Sequence, residues 1–185
     1  FKVEKIDDRN KLYFNIAELI YQNKIIGFFN DRMEFGARAL GNRSILANPC
    51  DKNIKEIINK KIKRRENFRP FAPAVIEEKA HEYFNISRSS PHMLFVVDAK
   101  DNIKKILPAV VHVDNTCRVQ TVSKSNNIIF YNLLKKFEEI SKIPVLLNTS
   151  FNENEPIVQK PEEAFNCFER TKMDCLILEN WLIYR

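Results

Sequence analysis

Between Asn127 and Asn152 a helical pattern gives way to a fully apolar strand and then, with no turn signal, to polar residues, and few folds accommodate that succession. Phe130, Leu133, Leu134, Phe137 and Ile140 recur at helical spacing on one face, and Pro144 ends the helix, because the residue before a proline is pushed out of the α region. Val145-Leu146-Leu147 follows with no polar face, as expected of a strand covered on both sides. It runs into Asn148-Thr149-Ser150-Phe151-Asn152, polar groups at the carboxyl end of a strand, where open α/β sheets commonly bind ligands.

The rest of the chain repeats the alternation. Ile16, Leu19 and Ile20 predict an opening helix, Lys24 to Phe29 a buried strand, Ile45-Leu46-Ala47 a short strand, and Ile54, Ile57, Ile58 and Ile62 a helix reaching Lys63-Arg64-Arg65. Phe71 to Ile76 reads as a strand and Glu77 to Phe84 as a short helix, while Met93 to Val97, Ala109 to Val113 and Arg118 to Val122 read as further strands. Pro161-Glu162-Glu163 suits a helix's first turn, and Cys175 to Leu178 and Trp181 to Tyr184 read as closing strands. Short connections such as Val113 to Arg118 point to antiparallel pairs within the sheet, so the expected class is α/β with a mixed sheet.

At 185 residues the chain suits one domain. It opens at Phe1 on a polar stretch without methionine, so residues 1–185 are expected to be a single domain of a larger polypeptide. A formal net charge of +6 favours anionic partners, either nucleic acid or nucleotide and phosphate. The cysteines at 50, 117, 167 and 175 form no CxxC pair, and the histidines at 81, 92 and 112 stand far apart, so neither a metal cluster nor a disulfide framework is indicated. No apolar run has membrane length, so the cytoplasm is the expected compartment and a membrane is not an expected partner.

Chemistry collects in four segments. Arg38-Ala-Leu-Gly-Asn-Arg-Ser44 sets two guanidiniums beside Gly36 and Gly41, two of only three glycines in the chain. Fixed cations and close backbone suit an anion. The glycine spacing matches a Walker A loop, but Asn42-Arg43-Ser44 follows where Lys and Ser/Thr are needed, which excludes it. In Lys63 to Pro73, Arg69 is pinned between Phe68 and Pro70, leaving a phosphate fork and a structural ion pair both open. In His112 to Gln120, Arg118 begins a strand after a turn-prone group, and His112 in an apolar setting reads as a core histidine. In Asn148 to Glu155, Asn148 and Ser150 share one face of a strand. Ser150 has no nucleophile elbow around it.

Together, Arg32-Met-Glu-Phe-Gly-Ala-Arg-Ala-Leu-Gly-Asn-Arg-Ser44, Arg65-Glu-Asn-Phe-Arg-Pro-Phe-Ala-Pro73, His112-Val-Asp-Asn-Thr-Cys-Arg-Val-Gln-Thr121 and Leu147-Asn-Thr-Ser-Phe-Asn152 resemble the C-terminal domain of the O-carbamoyltransferase family. Glu155-Pro-Ile-Val158 belongs to the same match, and nodulation protein U and the tobramycin and cephalosporin carbamoyltransferases belong to that family. The resemblance implies a YrdC/Sua5-like fold, an open, twisted, mixed sheet with flanking helices. It implies activation of carbamoyl phosphate by ATP with Mg²⁺ to carbamoyl adenylate, releasing pyrophosphate. A preceding Kae1-like domain holding iron would then pass the carbamoyl group to a hydroxyl of a small-molecule or glycan acceptor.

By the same resemblance, Arg38, Lys63, Arg69 and Arg118 hold phosphates and carry the chemistry, while Asn148 and Ser150 face the nucleotide. His92, in Ser90-Pro-His-Met93, joins them as a nucleotide contact. Asp31 and Ala37 replace a usual glycine and proline, Asn115 replaces a frequent glycine, and Asn152 to Glu155 lacks one. The alternatives are a basic YrdC-like module binding RNA, which the apolar placement of most aromatics disfavours, and threonylcarbamoyl-adenylate synthesis.

Overall fold

The computed structural model describes residues 1–185. An eight-stranded sheet runs through it, built from β1 (Lys2–Lys5), β2 (Ile26–Phe29), β3 (Arg43–Ala47), β4 (Ala72–Ile76), β7 (Gln120–Val122), β8 (Val145–Ser150), β9 (Cys175–Leu178) and β10 (Trp181–Tyr184) in the order β1-β10-β9-β2-β3-β8-β4-β7. The pairs β2–β9 and β4–β7 are parallel and the others antiparallel, so the sheet is mixed and open. A ribbon of β5 (Val96–Asp98) and β6 (Thr116–Arg118) stands apart from it.

Side chains of the central strands alternate between two cores. Ile26, Phe28, Leu46, Ala74 and Leu146 meet α1 (Arg9–Tyr21) and α5 (Ile128–Ser141), through Leu12, Ile16 and Ile20 of the first and Phe130, Leu134 and Phe137 of the second. Phe29, Ile45, Val75, Val145 and Leu147 face the other way, against α2 (Ile54–Lys61), α6 (Pro161–Arg170) and the segment from Ala99 to Val119. Burial on both faces is why these strands lack a polar side. The Asp8 carboxylate accepts from the N–H of Asn10 and Lys11, and Asn127 Oδ1 from the N–H of Phe130, capping α1 and α5. Pro161 opens α6, and Glu163 reaches back to the Gln159 N–H at 2.7 Å.

Several sequence expectations need correction. Ala109 to Val113 is not a strand; Ala109, Val110 and Val111 are buried in turns, with the Ala109 N–H on Pro49 O. Arg118 to Val122 is two strands broken at Val119, one in the ribbon and one in the main sheet. Met93 to Val97 contributes only β5, and Glu77 to Phe84 divides into a 3-10 turn over Glu77–Lys79 and the single-turn α3 (Ala80–Tyr83). Two elements had no forecast: the edge strand β1, largely exposed and carrying Lys2 and Lys5 as edge strands often do, and the one-turn α4 (Ile103–Ile106). No helix is long and apolar enough to cross a membrane.

Candidate anion site at the sheet centre

The segment between β2 and β3 is folded around Glu34. One of its carboxylate oxygens accepts the N–H groups of Leu40 (2.6 Å), Asn42 (2.7 Å) and Arg43 (3.3 Å), so the acid is committed to the loop's backbone. Arg43 turns inward, stacked 3.5 Å over the Phe29 ring and donating to Asn30 O and Asn42 O. Arg38, by contrast, is left exposed. Asp31, where a glycine is usual, takes φ 49°, and its N–H is held by Glu179 at 2.7 Å; Asn115 takes φ 66° at its turn.

Arg38, Arg65, Arg118, Asn148, Thr149 and Ser150 enclose a cavity of about 120 Å³ whose remaining walls contain no carboxylate. Three guanidiniums thus share one small space without a counter-charge. Burial, and next the charge of Arg38, push the Arg118 pKa below its ordinary value. Arg118 Nε and Asn148 Oδ1 are both buried with no protein partner. An unpaired buried donor and acceptor are costly, and both belong to residues that line the cavity.

A second, more open cavity of about 400 Å³ adjoins it, sharing Arg65 and Ser150 and adding Lys63, Arg69 and Asn152. Lys63, 2% exposed, points its ammonium at Ser150 and Asn152: Ser150 Oγ lies at 3.1 Å, Asn152 O at 2.8 Å and Asn152 Oδ1 at 2.7 Å, with Ser150 O also in contact. It fixes the end of β8. Burial, then the Arg65 charge, lower its pKa from 10.5 to about 7.

Arg69 lies exposed in the rim of this second cavity, its Nε 3.0 Å from Glu66. His92 is exposed on a third cavity of about 240 Å³ with Glu34, Gln120 and Asn127. Of the residues expected to form the site, then, Arg38, Arg118, Asn148 and Ser150 converge on the small cavity, Lys63 and Arg69 on its neighbour, and His92 on neither. His112 is half-buried with Nδ1 3.1 Å from Thr116 Oγ1, as a satisfied histidine should be.

Four contributors were not singled out from the sequence. Arg65 lines both cavities, its Nε bonded to Asn59 Oδ1 at 2.7 Å, and the wholly buried Asn59 also donates to Arg69 O. Gln120 bonds Asn148, and Glu34 shapes the arginine loop. Arg65 and Gln120 stood within the quoted motifs, and only their neighbours in space reveal their work. Most aromatics are interior, as expected; Phe35 and Phe68, on loops beside the cavities, are exceptions at 108% and 76% exposed. Cys117, Cys167 and Cys175 are buried free thiols pushed up to about 12 by burial, Cys50 is exposed, and no group of three or more His, Cys, Asp or Glu is poised to hold a metal ion.

The Lys63 environment yields a pH prediction. Sulfate, which does not titrate near neutrality, should bind progressively less well as pH rises through about 7, and this decline should vanish in Lys63→Met. A base with a depressed folded pKa binds fewer protons folded than unfolded between the two values. Its destabilising effect is therefore full below about 7 and relieved towards 10.5, so wild type should gain stability relative to Lys63→Met across that window. Calorimetry and urea midpoints at pH 6 and 9 check both signs; a slope unchanged by the substitution would assign the titration elsewhere.

In comparison with known proteins, residues 17–185 match the family model described as "Carbamoyltransferase C-terminus". The chain is 43% identical over 186 residues to nodulation protein NolNO of Sinorhizobium fredii, covering 98% of this chain and 27% of that protein. It is 40% identical over 137 residues to nodulation protein U of Rhizobium tropici, covering 74% of this chain and 24% of the relative. The chain thus spans about a quarter of the length of these relatives. Among solved structures, full-length HypF in its phosphate- and nucleotide-bound form superposes with a TM-score of 0.67 at 18% identity, over 96% of this chain and 22% of HypF. Sua5 of P. abyssi complexed with L-threonine gives 0.64 at 17% identity, over 96% of this chain and 48% of Sua5. The mixed open sheet is therefore the YrdC/Sua5-like fold, as the motifs led one to expect, and with a family model covering nearly its whole length the chain belongs to the carbamoyltransferase C-terminal family.

Proposed function

We propose that this domain activates carbamoyl phosphate with ATP, giving carbamoyl adenylate as the first half of O-carbamoyl transfer in the cytoplasm. The observation that carries the reading is the small cavity with three guanidiniums and no carboxylate, opening beside a second basic cavity. The balance of the reaction requires two anionic leaving groups. Water releases inorganic phosphate from carbamoyl phosphate, and a carbamate oxygen then attacks the α-phosphorus of ATP while the bond to pyrophosphate breaks. Both reactants are anions that repel each other, and fixed cations lower that barrier by holding them in reach and offsetting charge as it builds.

In this reading Arg38, Arg65 and Arg118 hold the reacting anions, Lys63 and Ser150 set the end of β8, and Arg69 meets the distal phosphates in the open cavity. The donors present suit phosphate oxygens rather than a bare metal ion, so Mg²⁺ would arrive with the nucleotide and supply charge neutralisation there. Transfer to a small-molecule or glycan hydroxyl is assigned to a preceding Kae1-like, iron-holding domain.

The test is calorimetry with Mg·ATP followed by an assay for pyrophosphate. ATP should bind in preference to sulfate, and carbamoyl phosphate, but not L-threonine in its place, should elicit pyrophosphate and inorganic phosphate together. Affinity for ATP no better than for sulfate would refute the site. Acceptor carbamoylation by this chain alone would refute the division of labour.

A further inference from the structure

The small cavity contains a constraint beyond its charge. Asn148 is 1% exposed in the middle of β8, with its side-chain Nδ2 donating to Ala39 O at 3.1 Å and to Gln120 Oε1 at 2.8 Å. Gln120, 3% exposed on β7, donates through Nε2 to Leu40 O at 2.8 Å. A backbone carbonyl can only accept. The carbonyls of Ala39 and Leu40 therefore dictate which end of each amide carries nitrogen, and the two amides dictate each other. Asn148 Oδ1 is the atom left over, buried and unpartnered in a residue lining the cavity.

We infer that Gln120 is a positioning residue that locks the Asn148 amide, so that Asn148 Oδ1 becomes an obligatory acceptor and the cavity selects an anion bearing N–H groups over its methyl and carboxylate analogues. The inference rests on the carbamoyl phosphate reading and supplies its specificity: the guanidiniums take the oxygens, and the oxygen of Asn148 takes the carbamoyl N–H. A methyl in that place would leave the acceptor unsatisfied, and a carboxylate would set oxygen against oxygen.

Three non-hydrolysable probes differ only at this position: carbamoylphosphonate, acetylphosphonate and phosphonoformate. Titrated into the chain, carbamoylphosphonate should bind at least roughly tenfold more tightly than acetylphosphonate, which carries the same charge. In Asn148→Leu that ratio should fall towards one. In Gln120→Met the Asn148 amide loses one of its two anchors and can turn, so phosphonoformate should gain severalfold on carbamoylphosphonate. A merely structural role for Gln120 would weaken all three probes by one common factor, and that result would overturn the positioning role. Equal binding of carbamoylphosphonate and acetylphosphonate by wild type overturns the selection while leaving anion activation intact, and needs no variant to fold. Failure of all three to bind removes the carbamoyl phosphate reading and the inference with it.

Discussion

Replacing Arg118 by alanine should weaken binding of ATP and of carbamoyl phosphate by roughly ten- to a hundredfold, since a hydrogen bond to a charged group contributes about 1.5–3 kcal/mol and about 1.4 kcal/mol is a factor of ten. The effect should be large here because Arg118 is half-buried with an unpartnered Nε, and no carboxylate competes for it within the cavity. Arg69→Ala is the contrast: that guanidinium is about half exposed and already paired with Glu66, so its loss should cost less. Arg118→Ala should also slightly stabilise the unliganded protein, because it removes the repulsion between Arg38 and Arg118. Calorimetric affinities for the two variants decide the matter. Equal losses would mean that the small cavity is not where the phosphates sit.

The second large effect lies in the fold. Gly41 takes φ +110°, and a Cβ there would stand 2.3 Å from Phe130 Cδ1 and 2.6 Å from Cγ, at a ring with no exposed surface. Gly41→Ala should therefore cost about 2–6 kcal/mol, combining backbone strain with overpacking, out of a typical net stability of about 5–15 kcal/mol. Gly36 separates the two contributions. It takes φ +127° but a Cβ there would meet nothing within 4 Å, so Gly36→Ala should show only the strain, about 1–3 kcal/mol. Urea unfolding of both variants tests this; a Gly41→Ala loss no greater than that of Gly36→Ala would remove the steric argument.

The legible parts of the fold were those where one signal had one cause. The spacing of Phe130, Leu133, Leu134 and Phe137 can only be a helical face, and the structure places α5 there with Asn127 as its cap. Lys24 to Phe29 and Val145 to Leu147 read as covered strands because both faces of the central sheet are buried, and β8 simply continues through the polar Asn148, Thr149 and Ser150. Ala109 to Val113 carries the same apolar signal, but its burial is achieved by turns whose hydrogen bonds run to Pro49 and Leu107, and composition does not record where backbone partners lie. The site was legible as chemistry more than as geometry. Arg38, Arg118, Asn148 and Ser150 were drawn from three separate segments and meet in one cavity. Lys63 was expected to hold a phosphate, yet its ammonium is enclosed by the oxygens of Ser150 and Asn152, a partnership across 87 residues or more. Gln120 was invisible for the same reason, since its task depends on a carbonyl 80 residues away.

The interruption at Val119 puts Arg118 and Gln120 on opposite sides of a one-residue joint. Arg118 sits opposite Val96 in the two-stranded ribbon, Gln120 opposite Ala74 in the main sheet, and the wholly buried Val119 between them is pinned through its carbonyl by Ser90 Oγ at 2.8 Å. A tilt of the ribbon would carry the Arg118 guanidinium with it, whereas Gln120 and Asn148 both sit in the main sheet. On the proposed reading, one of the three guanidiniums that grip the anion and the amide pair that discriminates what it carries would thus belong to different mechanical parts.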